Sequence, residues 1–339
     1  MKTIVLTGGG TGGHVIPALA LLPELKEHFQ KIIFIGSNGI EQRLAKEKGL
    51  PFYAVSCVKL YRKNILKNVK IPLLLLKGIT ECEEIFDEIK PDVVFSKGGY
   101  VSLPSCLAAK KNGIPVVCHE SDYTMGLANK ITSRFAAKTL TSFEATPGGI
   151  CTGNPVREEI FFGSKQRADQ KYPLRPGKKT VLFCGGSQGA AAVNKAVYDA
   201  LPELTDKYNV LHVSGKTGDR SVKDTDSYKQ IEYASDFPDL LAAADIVVGR
   251  AGANTLFEVA ALGKPMLCIP LPKGTSRGDQ LLNAEEFKKR GFVDILPQED
   301  LFTESLLYKI DSVSLMKPPV LDASQTVKKI VKEILSVTK

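Results

Sequence analysis

The chain of 339 residues has no tryptophan, and aromatic residues make up only 7% of it. Its seven cysteines, at positions 57, 82, 106, 118, 151, 184 and 268, are odd in number and lack CxxC spacing, which argues against a disulfide framework or a zinc site. Several lie in apolar runs such as VVCHE and VLFCGG and are expected to be buried thiols in a reducing compartment. The start, MKTIVLTGGG, enters a strand pattern at once, without the apolar stretch and cleavage site of an exported precursor, so a cytosolic protein is expected. No low-complexity tract or short tandem repeat interrupts the chain. Between Lys59 and Thr80 there is no acidic residue among six basic ones.

What is present is ordinary in bulk: 43% hydrophobic and 24% charged residues describe a globular protein, and the length suits two domains. A formal charge of +8 permits anionic partners without choosing among them. Short apolar runs (TIVLTG, KIIFIG, DVVFS, IPVVCHE) alternate with amphipathic stretches, the signature of buried parallel strands covered by helices. The pattern restarts with KTVLFCGG, VLHVSG, ADIVVG and KPMLCIP. Proline, glycine and charge concentrate around GNPVREEIFFGS and KYPLRPGKK, which puts a boundary near residues 155–165. The expected division is 1–157, 158–320 and a terminal helical segment, 321–339, that returns to the first domain.

TGGGTGGH, residues 7–14, follows the first strand and opens a helix, where glycines let a backbone approach an anion and free N–H groups meet it. A plain tight turn is the alternative reading. A dinucleotide fold should also carry an acid at the end of strand two, yet that strand ends Ile35, Gly36, Ser37, Asn38, which disfavours NAD. A phosphate turn does not need the imidazole of His14, which points to the ligand. CGGSQGA, residues 184–190, repeats the layout in the second half, and two such folds imply a ligand shared between two glycine loops. RAGANTLFE, residues 250–258, adds a third loop-to-helix turn, and Glu258 one turn along offers a carboxylate for both hydroxyls of a ribose, unless it is simply a solvated helical acid. In SRGDQLLNA, Asp279, Gln280 and Asn283 could read sugar hydroxyls or merely open a helix.

Taken in order, TGGGTGGH, SKGGYVSLP, HESDYTMGLANK, TGNPVR, GGSQGA, RAGANTLFE and SRGDQLLNA resemble the MurG family over nearly the whole chain. These are N-acetylglucosaminyltransferases that convert lipid I to lipid II in peptidoglycan synthesis. The resemblance implies an α/β, GT-B fold of two Rossmann-like doubly wound domains, an acceptor and membrane side in the first and a UDP-GlcNAc donor side in the second. It implies acceptor contacts at Gly9, Gly10, Thr11, Gly12, Gly13, Tyr100, Asp122 and Asn129. Donor contacts fall at Arg157, Ser187, Gln188, Ala234, Arg250, Gly252, Glu258, Gln280 and Asn283. Ala234 stands where relatives commonly have an isoleucine whose backbone meets uracil. Two departures are noted: HEQN is here His119, Glu120, Ser121, Asp122, and the histidine before the donor glutamine is Asp279, both as in some Gram-positive relatives.

The reaction implied joins the MurNAc 4-hydroxyl to the anomeric carbon of GlcNAc with inversion and releases UDP. His14 is the first candidate for its base and Glu120 the second. Helix N-termini with Arg157 or Arg250 would neutralise the departing diphosphate, so no cofactor and no obligatory metal are expected. Asp224, Thr225 and Asp226 spell a DxD pattern but lie in a polar, charged segment that reads as a solvated turn. KLYRKNILKNVKIPLLLLKGI, residues 59–79, is too short in its apolar run to span a bilayer but suits an anionic membrane surface, with contacts at Lys59, Arg62, Lys63, Leu66, Lys67, Lys70, Leu73 and Leu74. A buried helix with a lysine rim is the alternative. The expected location is the cytoplasmic face of the membrane, peripherally, with UDP-GlcNAc, lipid I and other cell-wall synthesis proteins as partners and no nucleic acid. The rival functions are a related glycosyltransferase with another lipid acceptor and a non-catalytic nucleotide- or membrane-binding module.

Overall fold

The computed structural model describes residues 2–59, 69, 71–186, 189–274 and 277–338. The chain divides into two compact units, Met1–Arg157 with Ala323–Lys339, and Glu158–Asp322. In the first, strands β1 (Thr3–Thr7), β2 (Lys31–Gly36), β3 (Phe52–Ala54), β4 (Val93–Ser96), β5 (Val116–Glu120), β6 (Lys138–Thr141) and β7 (Ile150–Cys151) form a sheet in the order β3-β2-β1-β4-β5-β6-β7. Every pairing is parallel.

The alternation of β1 distributes its side chains to two cores. Ile4 and Leu6 face a cluster with Leu21, Leu25 and Phe29, whereas Val5 faces one with Cys82, Phe86 and Cys106. The helix Thr326–Leu335 joins the first of these clusters through Ile330, Val331 and Ile334, and Lys138 pairs with its Glu333. The helix Ile71–Ile89 lies on the other face, where Gly78 is required: a Cβ there would sit 2.1 Å from the Ser56 carbonyl oxygen.

The second unit holds β8 (Thr180–Cys184), β9 (Asn209–Val213), β10 (Tyr228–Ile231), β11 (Ile246–Gly249), β12 (Met266–Cys268) and β13 (Val293–Ile295), in the order β10-β9-β8-β11-β12-β13 and again parallel. In both sheets the strand order reverses beside the first strand, between β1 and β4 and between β8 and β11. Open parallel sheets bind ligands at the carboxyl ends of the strands at such a switch point.

Of the thiols, Cys82, Cys106, Cys118, Cys184 and Cys268 are buried, but Cys57 is half-buried and Cys151 exposed, because β7 is a two-residue edge strand. Among the described residues no helix is long and apolar enough to cross a membrane.

Candidate functional site

In the first unit, β1 ends at Thr7 and the turn Gly8–Thr11 leads into the helix Gly12–Leu19. Thr11 caps that helix in an extended conformation without a side-chain bond, and the His14 N–H closes onto the Thr11 carbonyl at 3.2 Å. Gly10 has φ +84°, and a Cβ on it would lie 2.6 Å from a Tyr100 ring carbon. Gly99, at φ +79°, packs so closely that a Cβ would stand 2.4 Å from the Gly9 carbonyl and 2.9 Å from the His14 ring. The structure thus brings Gly9, Gly10, His14 and Tyr100 together, with Thr11, Gly12 and Gly13 continuing the turn.

The loop rests on Glu41, a residue that sequence reasoning missed. Its fully buried carboxylate accepts the Ser37 N–H at 3.1 Å, the Ser37 hydroxyl and, at 3.4 Å, the Gly10 N–H. A carboxylate therefore does reach the end of β2, delivered from the helix Ile40–Glu47, but it faces inward to the loop. Ser37 at the strand end was the available signal, since a hydroxyl and a backbone donor there need an acceptor.

Glu120, the second base candidate, and Asn129, an expected acceptor contact, brace the loops around them. Glu120, 4% exposed, accepts the Asp122 N–H at 3.0 Å on one oxygen and the Gly126 N–H and Asn129 Nδ2 at 2.9 Å each on the other. With three donors on it the carboxylate clamps the 121–126 loop. Asn129, 3% exposed, also donates to the His119 carbonyl at 3.1 Å and so ties the helix Leu127–Thr132 to β5 rather than lining the surface. Asp122 begins the clamped loop. Beneath it, Lys97 is fully buried, with Nζ 2.6 Å from His119 Nδ1, 2.6 Å from Ser121 Oγ and 3.2 Å from Asn154 Oδ1.

In the second unit, β8 leads through Gly185 and Gly186 to the helix Ala191–Asp199; Ser187 and Gln188 lie outside the described residues. Gly189 packs on the Gly215–Thr217 turn, 2.5 Å from the Ser214 carbonyl for a hypothetical Cβ. Gly252 caps the helix Ala253–Ala261 and has open space around its hypothetical Cβ, so a ligand can approach its backbone. Glu258, 6% exposed, sits on this helix beside the end of β8: after burial, its charge is the next cause pushing the Cys184 thiol up to about 12. Gln280 accepts the Leu271 N–H at 3.1 Å. Ala234 is half-buried in the loop after β10, and Arg157 is half-buried at the end of the first unit.

Arg250 and Asn283 are held by partners within their own unit. The Arg250 guanidinium donates to the carbonyls of Ile269 (2.9 Å) and Pro270 (3.3 Å) and to Gln298 Oε1 (2.7 Å), bracing the loop after β12. Burial alone lowers its pKa. Asn283 is fully buried and donates to the Ala251 carbonyl at 3.3 Å, joining the helix Asp279–Lys289 to the Gly252 turn from behind. Asp279 is paired with Arg277 at 2.9 Å in the first turn of that helix, where an acid complements the helix dipole.

Asp224, Thr225 and Asp226 precede β10, at the sheet edge opposite the glycine turns, and the Asp224 carboxylate accepts the Gln230 N–H at 2.9 Å. Among the described residues, Glu24, Glu27 and His28 are grouped closely enough to hold a cation, but they end the helix Leu22–His28 just before β2, also at the opposite strand edge. Of the expected membrane residues, Lys59 is exposed, and Leu73 (72% exposed) and Leu74 (36%) project from the first turn of the helix Ile71–Ile89 with Leu76 (61%). Arg62, Lys63, Leu66, Lys67 and Lys70 lie outside the described residues.

Residues 4–141 match the glycosyltransferase family 28 N-terminal domain and residues 180–336 the glycosyltransferase family 28 C-terminal domain. A UDP-N-acetylglucosamine--N-acetylmuramyl-(pentapeptide) pyrophosphoryl-undecaprenol N-acetylglucosamine transferase of Bacillus thuringiensis (strain Al Hakam) is 44% identical over 93% of this chain and 92% of its own length. A transferase of the same name from Lachnospira eligens is 46% identical over 91% and 89%. Among solved structures, MurG of Acinetobacter baumannii superposes with TM-score 0.76 at 25% identity over 99% of this chain and all of its own. A UDP-GlcNAc 2-epimerase of Neisseria meningitidis, at 16% identity and TM-score 0.68, shares the fold alone.

Proposed function

Because this chain belongs to glycosyltransferase family 28 and has the GT-B fold, we propose that its two glycine-turn sites carry out one inverting sugar transfer. The enzyme moves GlcNAc from UDP-GlcNAc to the MurNAc 4-hydroxyl of lipid I, giving lipid II and UDP in peptidoglycan synthesis. The observation that carries this reading is near-full-length similarity, at 44–46% identity, to transferases named for that donor and acceptor.

The first unit receives the acceptor. Its diphosphate lies against the helix start at Gly12 and Gly13, and His14 takes the proton of the attacking hydroxyl. The second unit receives the donor. Glu258 accepts the ribose hydroxyls, Gln280 and the Gly252 turn meet the sugar and phosphates, and Ala234 meets uracil through its backbone. The helix starts after Ala190 and Gly252 stabilise charge growing on the departing diphosphate, with Arg157 contributing, and no metal is needed. Arg250 and Asn283 keep these loops in shape.

The protein works peripherally at the cytoplasmic membrane face. The exposed Leu73, Leu74 and Leu76 support this, beside the basic stretch that begins at Lys59. The deciding experiment is UDP release from UDP-GlcNAc with and without a lipid I analogue, with and without EDTA. Release that ignores the analogue would remove the acceptor assignment, and loss of activity in EDTA would remove the metal-independent mechanism.

A further inference from the structure

The family reading gives no role to the buried charge of Lys97. Lys97 follows β4 at the switch point of the first sheet, its N–H bonded to the Thr7 carbonyl at 2.9 Å, and it opens the Lys97–Tyr100 turn that packs on the glycine loop. Its side chain runs beneath β5 to the segment after β7. The proton inventory there is determinate. His119 Nε2 faces the Gly153 carbonyl at 2.9 Å, which only accepts, so the ring proton is on Nε2 and Nδ1 offers its lone pair to Lys97. Ser121 donates its hydroxyl to Asn154 Oδ1 at 3.0 Å, so its oxygen accepts from Lys97. Asn154 Oδ1 can only accept. Three acceptors thus surround Nζ, and only an ammonium has three protons to donate.

Among the described residues no carboxylate is hydrogen-bonded to it. The titratable groups that face it are His119 and Glu120 on β5 and Asp122 on the following loop; Ser121, Ser142 and Asn154 bring only uncharged atoms. On the glycine-loop side it meets backbone, Gly8 lying so close that a Cβ would be 3.1 Å from the Lys97 Cβ. An ammonium so placed ties together three segments: the turn carrying Tyr100, the 121–126 loop, and the Gly153–Asn154 segment.

We propose that Lys97 is a positioning residue of the acceptor half, its protonated side chain holding the Tyr100 turn and the 121–126 loop in the form that accepts the lipid-linked diphosphate. The inference rests on the assignment of the acceptor to this unit. Burial lowers the Lys97 pKa to about 7, with Glu120 and Asp122 opposing, so the third hydrogen bond is lost as pH rises through neutrality. Acceptor use then falls on the alkaline side while donor use does not.

The test measures kcat/KM for a lipid I analogue and KM for UDP-GlcNAc from pH 6 to 9.5 in the full chain and in Ser121→Ala, Asn154→Asp and Lys97→Met. Asn154→Asp adds an anion beside the ammonium and moves the alkaline limb up. Ser121→Ala removes an acceptor and moves it down, each by about one pH unit. Lys97→Met abolishes the limb and lowers acceptor kcat/KM roughly tenfold with donor KM unchanged. Profiles that superimpose for the two neighbouring substitutions, or donor KM changing in step, would overturn the proposal. Should Lys97→Met not fold, the opposite shifts of the other two still decide. Amide exchange of residues 121–126, followed over the same pH range, keeps the outcome separate from the assigned activity. If the enzyme does not use lipid I, the acceptor reading fails, yet protection must still show a limb that Asn154→Asp raises and Ser121→Ala lowers.

Discussion

Replacing Glu41 by glutamine tests whether the glycine loop is held from below. The side chain fills space left by three glycines: a Cβ at Gly9 would be 2.7 Å from its carboxyl carbon, one at Gly36 2.8 Å from its Cγ, and one at Gly39 3.0 Å from an oxygen. Glutamine keeps that volume, so packing is preserved and only the acceptor chemistry changes. The carboxylate meets Ser37 twice through one oxygen and Gly10 once through the other. The amide must turn its NH2 toward one of them. Turning it to Gly10 retains the stronger pair and sets donor against donor at the loop. Loss of one long bond to a charged acceptor, with two others becoming neutral, amounts to about 2 kcal/mol. If all of it falls on the competent loop conformation, acceptor kcat/KM drops roughly 30-fold. UDP-release kinetics with each substrate varied separately should show that drop and a donor KM within about twofold of the parent. An unchanged acceptor kcat/KM, or a parallel rise in donor KM, would refute the idea that Glu41 acts through the acceptor loop.

Glu258→Gln should raise the KM for UDP-GlcNAc on the order of tenfold and leave acceptor KM alone, because an amide offers one acceptor oxygen to a ribose where a carboxylate offers two; isothermal titration with UDP checks it. Gly99→Ala places a Cβ 2.4 Å from the Gly9 carbonyl at a positive φ, so acceptor turnover should fall by more than tenfold while UDP affinity persists. Replacing Leu73 and Leu76 together by serine should weaken co-sedimentation with anionic vesicles by about tenfold without shifting the melting temperature, since both are exposed. Asp294 gives an acid-side prediction. Burial raises its pKa, but hydrogen bonds from Lys288 and Lys309 outweigh that and hold it at about 2. Its contribution, about 1 kcal/mol after solvent screening, is present above pH 4 and is lost as pH falls from about 4 through 2. Asp294→Asn should flatten that part of the urea-denaturation profile.

The strands were legible because parallel strands buried on both faces leave uninterrupted apolar runs, as in TIVLT and VVCHE. The glycine turns were legible because positive φ and close backbone approach leave few alternatives to glycine, as at Gly10 and Gly99. Polar residues inside those motifs were harder to read. Glu120, Asn129, Arg250 and Asn283 stand in the right segments, but a loop that must meet an anion with its backbone needs side chains to fix that backbone from behind. The two roles draw on the same residue types. Only burial and partners separate them: Asn283 is fully buried against the Ala251 carbonyl, whereas Gly252, one residue on, has open space before it. Glu41 and Lys97 were hidden for the converse reason. Each acts on a loop remote in sequence, Gly10 being 31 residues from Glu41 and Asn154 57 from Lys97, so no local spacing records the contact. In the proposed function the labour is divided: backbone at the strand ends would meet the ligands, and the buried polar and charged groups beneath hold that backbone. Substitutions among braces that share one loop should therefore be far from additive in turnover, because once one brace is lost the others no longer hold a competent loop.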